Sequence, residues 1–363
     1  MKPAAELRAL TSLRGIAAWA VVLFHIRHSI GLPGGAMRLV AHGYLAVDFF
    51  FLLSGVVIWM TWHGRLAGGW QQVPGFLRKR IARIWPLHAT MLAYAGLLAL
   101  LFWLRGRPDP HFPFAEFPAH LLLVQAWGLG AETLSWNDPA WSISTELFAY
   151  LVFPLLVMCV DWRRWSSAAL IGMIAVLLLG LAAIWHVRGV PDLGDFIPQM
   201  GLIRCVVEFV TGTIVGALWW RWQVRPLLPA IGAALTALAV AAAFHAGALP
   251  QPFAVPAIFA GALLGFALTS GMRGNPLDLR PLHYLGEISF ATYLSHSLLW
   301  KTFKLALVSD PQAVAWPLIA LYLLLLLGAS VALYHGVERP AQRWINRFRL
   351  SPAALPAPRS PRG

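Results

Sequence analysis

Residues 13 to 29 read LRGIAAWAVVLFHIRHS, an apolar stretch with an arginine near its start and a histidine near its end. A guanidinium fork suits anionic oxygens, and an imidazole takes and gives protons near neutral pH. On a helix, eleven residues return to within about 20° of the starting face and advance about 16 Å. Arg14 and His25 therefore share one stripe, with Gly15, Ala18 and Val21 on or beside it. That spacing predicts a groove with an anion binder at one end and an acid–base group at the other.

Similar polar interruptions recur. Asp48 lies in HGYLAVDFFFLLSG, and Glu146 in WNDPAWSISTELFAYLVFP. Ser142, Glu146 and Tyr150 follow at i, i+4, i+8 and form a polar stripe. In YLGEISFATYLSHSLLW, Ser289, Thr292, Tyr293 and His296 share a face. FLRKRIARIWPLH holds Arg78, Lys79, Arg80 and Arg83, with Arg80 and Arg83 one turn apart. Arg80 and Arg83 suit phosphate oxygens, whereas Arg78 and Lys79 read as anchors facing lipid. Arg204 and Glu208 form a local i, i+4 pair. Ser54, before Gly55, reads as packing rather than as a nucleophile.

The elements that must position these groups are membrane spans. The chain has 363 residues, 59% hydrophobic and 12% charged, against about 25% charged in a soluble domain. Its 18 tryptophans suit the two bilayer interfaces. Ten apolar segments have spanning length, at roughly 11–29, 43–62, 86–104, 141–160, 166–186, 201–220, 228–247, 252–271, 284–305 and 314–336. The expected fold is an all-α polytopic bundle of about ten transmembrane helices, with both termini cytoplasmic. Residues 1–347 form a single membrane domain, and the Pro- and Ala-rich tail 348–363 is expected to be disordered. HLLLVQAW at 120–127 reads as a re-entrant or interfacial helix. The basic start and apolar run mimic a signal peptide, but no small-residue cleavage site follows, so it is kept as the first span.

Charge supports this topology. Of the 28 Lys and Arg, 19 fall on the side of the termini and 7 on the other, with Arg14 and Arg204 inside spans. Basic loops mark the cytoplasmic face. The net charge of +13 is therefore assigned to topology and anionic lipid rather than to nucleic acid. Cys159 and Cys205 lie in apolar spans, where neither a disulfide nor a metal site is expected. Sorted by depth, His25, Asp48, Glu146 and His296 are expected in the outer half, and Arg14, Arg80 and Arg83 at a cationic inner mouth. Ionisable groups inside spans mark cavities and function. This shape suits a long cofactor with phosphates at one end and a reactive group at the other.

Those residues carry a resemblance. RGIAAWAVVLFH, GYLAVDFFFLLSG, RKRIARIWP and WSISTELFAYLVFP, with LGEISFATYLSH and the later ERP, resemble the integral membrane acyltransferase-3 family, which includes O-antigen and exopolysaccharide O-acetyltransferases. The likeness runs from residue 8 to about 347. It implies transfer of an acyl group, usually acetyl, from cytoplasmic acetyl-CoA or another acyl-CoA to a hydroxyl of a glycan or lipid-linked saccharide across the inner membrane. It implies His25 as the catalytic residue, Arg14 in the same motif, Arg80 and Arg83 near the CoA phosphates, and Glu146 in a Trp-Ser-x-Ser-x-Glu signature. Many members follow that Glu with a second acidic residue and Gln, where this chain has Leu147 and Phe148.

The expected mechanism has His25 accept the proton of the attacking hydroxyl, with Asp48 or Glu146 orienting the imidazole. An acyl-histidine intermediate is the other route. Ser142, Tyr150 and His296 are expected on the substrate side, and the outer loop 105–140 near the acceptor. The rival class is a transporter or flippase of an anionic or lipid-linked substrate. Such proteins often show repeats with paired broken helices, and no repeat is visible here.

Overall fold

The computed structural model describes residues 7–348 apart from 131 and 273. The expected disordered tail therefore lies, beyond residue 348, outside the described residues. The described chain is helical, with ten long helices: α1 Arg8–Ile26, α2 Ala46–Leu66, α3 Val73–Leu104, α4 Ala140–Cys159, α5 Ser167–Arg188, α6 Ile197–Trp222, α7 Leu227–His245, α8 Gln251–Thr269, α9 Ser289–Leu307 and α10 Trp316–Leu333. Among the described residues, nine of them are long and apolar enough to cross a membrane. The remaining one, α9, matches in length but carries Ser289, Thr292, Ser295 and His296 along its buried side and Lys301 and Lys304 near its end. The chain is a multi-pass integral membrane protein.

Small residues let the central helices approach. α2 and α6 meet at Gly55 and Gly212, where an added Cβ would run into the carbonyl oxygens of Phe209 and Leu52. α1 meets the short helix Arg280–Glu287 at Gly15 and Gly286, and a Cβ on Gly15 would stand 2.8 Å from the Gly286 nitrogen. This contact seats the Arg14 end of α1. α9 is tied to α10 by Thr292, which donates to Ser330 Oγ at 2.9 Å. α5 and α7 sit at the periphery. α7 buries only Ala230, Ala233 and Ala237, and its leucines Leu228, Leu235 and Leu238 are exposed.

Two expectations change. The basic segment before the expected third span is itself helical: α3 begins at Val73 and runs 32 residues. At 1.5 Å per residue that is about 48 Å, against about 30 Å of hydrocarbon. The helix thus starts well before the expected residue 86, and Arg78, Arg80 and Arg83 ride on its first turns. In the 120–127 segment, the helix covers Phe117–Leu121 and stops. Leu123 has φ 57°, which breaks the repeat, and the following residues bond to α4 instead. Ser144 Oγ donates to Leu123 O, and the Trp127 indole donates to Ser144 O.

α10 ends in a π-helical turn, Tyr334–Glu338, which leads into the amphipathic helix Arg339–Arg347. That helix packs against α3.

Candidate active site

A cavity of about 160 Å³ opens between α1, α2, α3, α4 and α9. Arg14, Arg80 and Arg83 line it, together with Ser142, Glu146 and Tyr150. Of the nine residues expected to serve catalysis, the donor or the substrate (Arg14, His25, Asp48, Arg80, Arg83, Ser142, Glu146, Tyr150 and His296), six thus meet in one place. Arg14 donates to Ser289 Oγ at 3.2 Å. Arg80 lies over the Tyr150 ring, 5.9 Å from its centroid. Tyr150 donates to Glu146 Oε1 at 2.6 Å. Since its one proton goes there, Ser54 must donate to the Tyr150 oxygen, 3.3 Å away. Arg83 is ion-paired with buried Glu338 of the π-helical turn. Ser54, Ser289 and Glu338 were not among the nine. The ERP segment carried Glu338 in plain view, but nothing in the sequence tied it to Arg83.

His25 and His296 lie beyond this cavity and meet each other. Their rings are 4.7 Å apart, with His296 Nε2 3.2 Å from His25 Nδ1. The contacts fix the tautomers. His296 Nδ1 is 2.5 Å from Tyr293 O and donates there, so its Nε2 carries a lone pair. His25 Nδ1 is 2.9 Å from Val21 O, and its proton is shared between that oxygen and His296. The lone pair of His25 is then on Nε2, the form a general base requires.

Between the cavity and the histidines stands Tyr293. It donates to Ser142 Oγ at 2.8 Å, because Ser142 already donates to Pro139 O. Phe50 meets the Tyr293 ring edge-on at 5.7 Å. α1 and α9 run the same way, with Arg14 at Ser289 and His25 at His296. The stripe on α1 is thus matched by a polar stripe on α9.

The carboxylates fall elsewhere than expected. Asp48 was expected beside His25, but both its oxygens accept from Arg204, each at 2.6 Å. The pair is buried, with Glu208 3.9 Å from the same guanidinium. Arg204 therefore serves α2 first and its own helix second. A buried guanidinium needs full compensation, and one i, i+4 carboxylate with poor geometry does not supply it. Glu146 was expected at the depth of His25; it sits in the arginine cavity instead, held by Tyr150.

The carboxylate within electrostatic reach of His25 is Asp138, which the sequence reading passed over although it stands in WNDPAWS. His111 Nε2 is 3.2 Å from Asp138 Oδ1. Burial raises the Asp138 pKa, but His111, with His25 and Lys301, outweighs it and holds the carboxyl below its usual range. Among the described residues no group of three or more metal-ligating side chains forms.

A family profile described as an acyltransferase domain matches residues 7–335. Acyltransferase MdmB of Streptomyces mycarofaciens is 30% identical over 383 residues, covering 95% of this chain and 94% of that protein. Exopolysaccharide production protein ExoZ of Rhizobium meliloti (strain 1021) is 28% identical over 275 residues, 74% of this chain and 78% of that one. Peptidoglycan O-acetyltransferase OatA of Listeria monocytogenes is 21% identical over 323 residues, 79% of this chain and 48% of its own length. No solved structure matches. With the match running from the first helix to the π-helical turn after the tenth, the chain belongs to the acyltransferase-3 family of membrane acyltransferases.

Proposed function

We propose that the chain moves an acyl group, acetyl in the simplest case, from cytoplasmic acyl-CoA to a hydroxyl of a glycan or lipid-linked saccharide on the far side of the bacterial inner membrane. The observation that carries this reading is the pairing along α1. Arg14 lines a cavity with Arg80 and Arg83, and His25 stands about 16 Å further along the same helix. Arg14 and Arg80 hold the phosphates of the donor, with Arg83 drawn from Glu338 when they arrive. His25 Nε2 takes the proton of the acceptor hydroxyl as its oxygen attacks the thioester carbonyl. The carbon–sulfur bond breaks, and His25 returns the proton to the leaving thiolate, so no charge accumulates. His296 keeps His25 in the tautomer that leaves Nε2 free, and Tyr150 holds Glu146 away from the donor phosphates.

CoA titrated into protein in lipid nanodiscs tests the donor half. Arg80→Ala is expected to weaken CoA binding at least tenfold, equivalent to about 1.4 kcal/mol. Unchanged affinity in both Arg80→Ala and Arg14→Ala contradicts the assignment of that cavity.

A further inference from the structure

α10 ends on the side that the bias of Arg and Lys marks as cytoplasmic. Its 18 residues, Trp316–Leu333, cover about 27 Å, close to the roughly 30 Å of hydrocarbon. The π-helical turn Tyr334–Glu338 and the helix Arg339–Arg347 therefore follow at the depth of the lipid headgroups. Two contacts lay that helix along the first turns of α3. Glu338, directly before it, is paired with Arg83. The carbonyl of Phe348, directly after it, accepts from Arg78.

The helix has two unlike sides. At about 100° per residue, Ala341, Gln342 and Ile345 share an arc with Glu338, and they are half-buried against the protein. Arg339, Arg343 and Arg347, at i, i+4 and i+8, form a stripe on the other side, and all three are exposed. Trp344 and Phe348 form a second stripe beside it. They are 61% and 58% exposed, and their rings meet edge-on at 5.0 Å. The helix contains no acidic residue. The start of α3 is itself cationic, with Arg78, Lys79 and Arg80. Packing the two together gathers like charges, which an external anion relieves.

The two stripes together choose the anion. A soluble phosphate would satisfy the guanidinium groups and leave both aromatic rings in water. An anionic phospholipid meets both, its phosphate on the arginines and its acyl chains on the rings, and it is present at this depth. We propose that the outer face of the helix Arg339–Arg347 is a docking surface for anionic phospholipid of the cytoplasmic leaflet. Arg339, Arg343 and Arg347 hold the headgroup phosphates, and Trp344 and Phe348 sit among the first acyl-chain carbons. The surface starts one residue after Glu338, so bound lipid steadies the helix whose leading carboxylate neutralises Arg83 at the arginine cavity. The lipid is an anchor of the inner mouth and takes no part in acyl transfer.

The test uses full-length protein with Asn346→Cys in a Cys159→Ser, Cys205→Ser background. Asn346 is exposed beside the arginine stripe. The thiol carries an NBD fluorophore, and the protein sits in nanodiscs of equal parts phosphatidylglycerol and phosphatidylcholine. Acyl-chain bromine is placed on one lipid or on the other, so the composition is constant and only the quenching lipid changes. Brominated phosphatidylglycerol is expected to quench at least about threefold more strongly than brominated phosphatidylcholine. Combining Arg339→Gln, Arg343→Gln and Arg347→Gln is expected to bring that ratio near one. The matching three Arg→Lys changes keep the charge and are expected to retain most of it. Arg343→Gln alone is expected to lower the ratio part of the way, and supplies the same test if the triple variant does not fold. Equal quenching by the two lipids in the parent protein overturns the docking surface. So does a ratio that survives in the folded glutamine variant, because the lipid is then held elsewhere on the basic face. Glycerol phosphate added to discs of phosphatidylcholine alone is expected to leave the label unchanged. A saturable spectral shift there would assign the stripe to a soluble phosphate and contradict lipid docking.

Discussion

Asp48 shows how a single residue misleads at the level of sequence. A carboxylate inside an apolar span signals function by default, and depth alone put it beside His25. Its partner, Arg204, lies 156 residues away, and spacing along one helix cannot reveal a contact between two. Asp48→Ala is expected to leave Arg204 buried with only the poorly aligned Glu208, at a cost of about 3–5 kcal/mol. Melting of the purified protein, followed by tryptophan fluorescence, would show a large fall in midpoint. If the variant instead folds with wild-type stability and loses turnover, Asp48 is catalytic after all. Arg14, Arg80, Glu146 and Tyr150 were legible because each lies on a helical stripe whose period the sequence displays. Asp138 was not, because it precedes α4, where no periodicity marks its direction.

The outer loop is the element whose behaviour sequence conveys least. Its short helix ends at Leu121 because Leu123 takes a positive φ, and hydrophobicity does not report that. It also holds a titration. His120 has an ordinary pKa near 6.5 when unfolded and about 4 when folded. The unfolded chain therefore binds a proton first as pH falls. Stability is full above pH 6.5, declines between 6.5 and 4, and is flat below 4 with respect to this group. The decline is worth about 3 kcal/mol for a shift of this size. Thermal midpoints across that range should fall in wild type and fall less in His120→Asn. Parallel slopes in the two proteins would mean that His120 is not the group responsible. α3 gives the opposite lesson: its 32 residues were half legible, because the charged first turns do not look like a span although they belong to the same helix.

At the scale of the whole molecule, apolar length and composition carried most of the fold. The run of hydrophobic segments and the bias of Arg and Lys pointed to ten crossings, and ten long helices are present among the described residues. Which helices touch was not readable, since the α2–α6 contact depends on Gly55 and Gly212, 157 positions apart, meeting. Ten crossings place both ends on one side. A fluorescent reporter fused after residue 363 is expected to be bright in the cytoplasm, and a cysteine at position 107 in a background lacking Cys159 and Cys205 is expected to react with impermeant maleimide from outside. Labelling of position 107 only after membrane disruption would contradict this orientation.

In the proposed function, α1 joins a donor cavity to a base. Its most direct test is acetyl-CoA turnover by purified protein, wild type beside His25→Ala, with CoA binding followed in parallel. Wild type is expected to bind and turn over the donor, while His25→Ala folds, binds CoA with near-wild-type affinity and loses at least a hundredfold in turnover. Turnover that survives in a folded His25→Ala protein would contradict it, and so would a wild type that binds no acyl-CoA of any chain length.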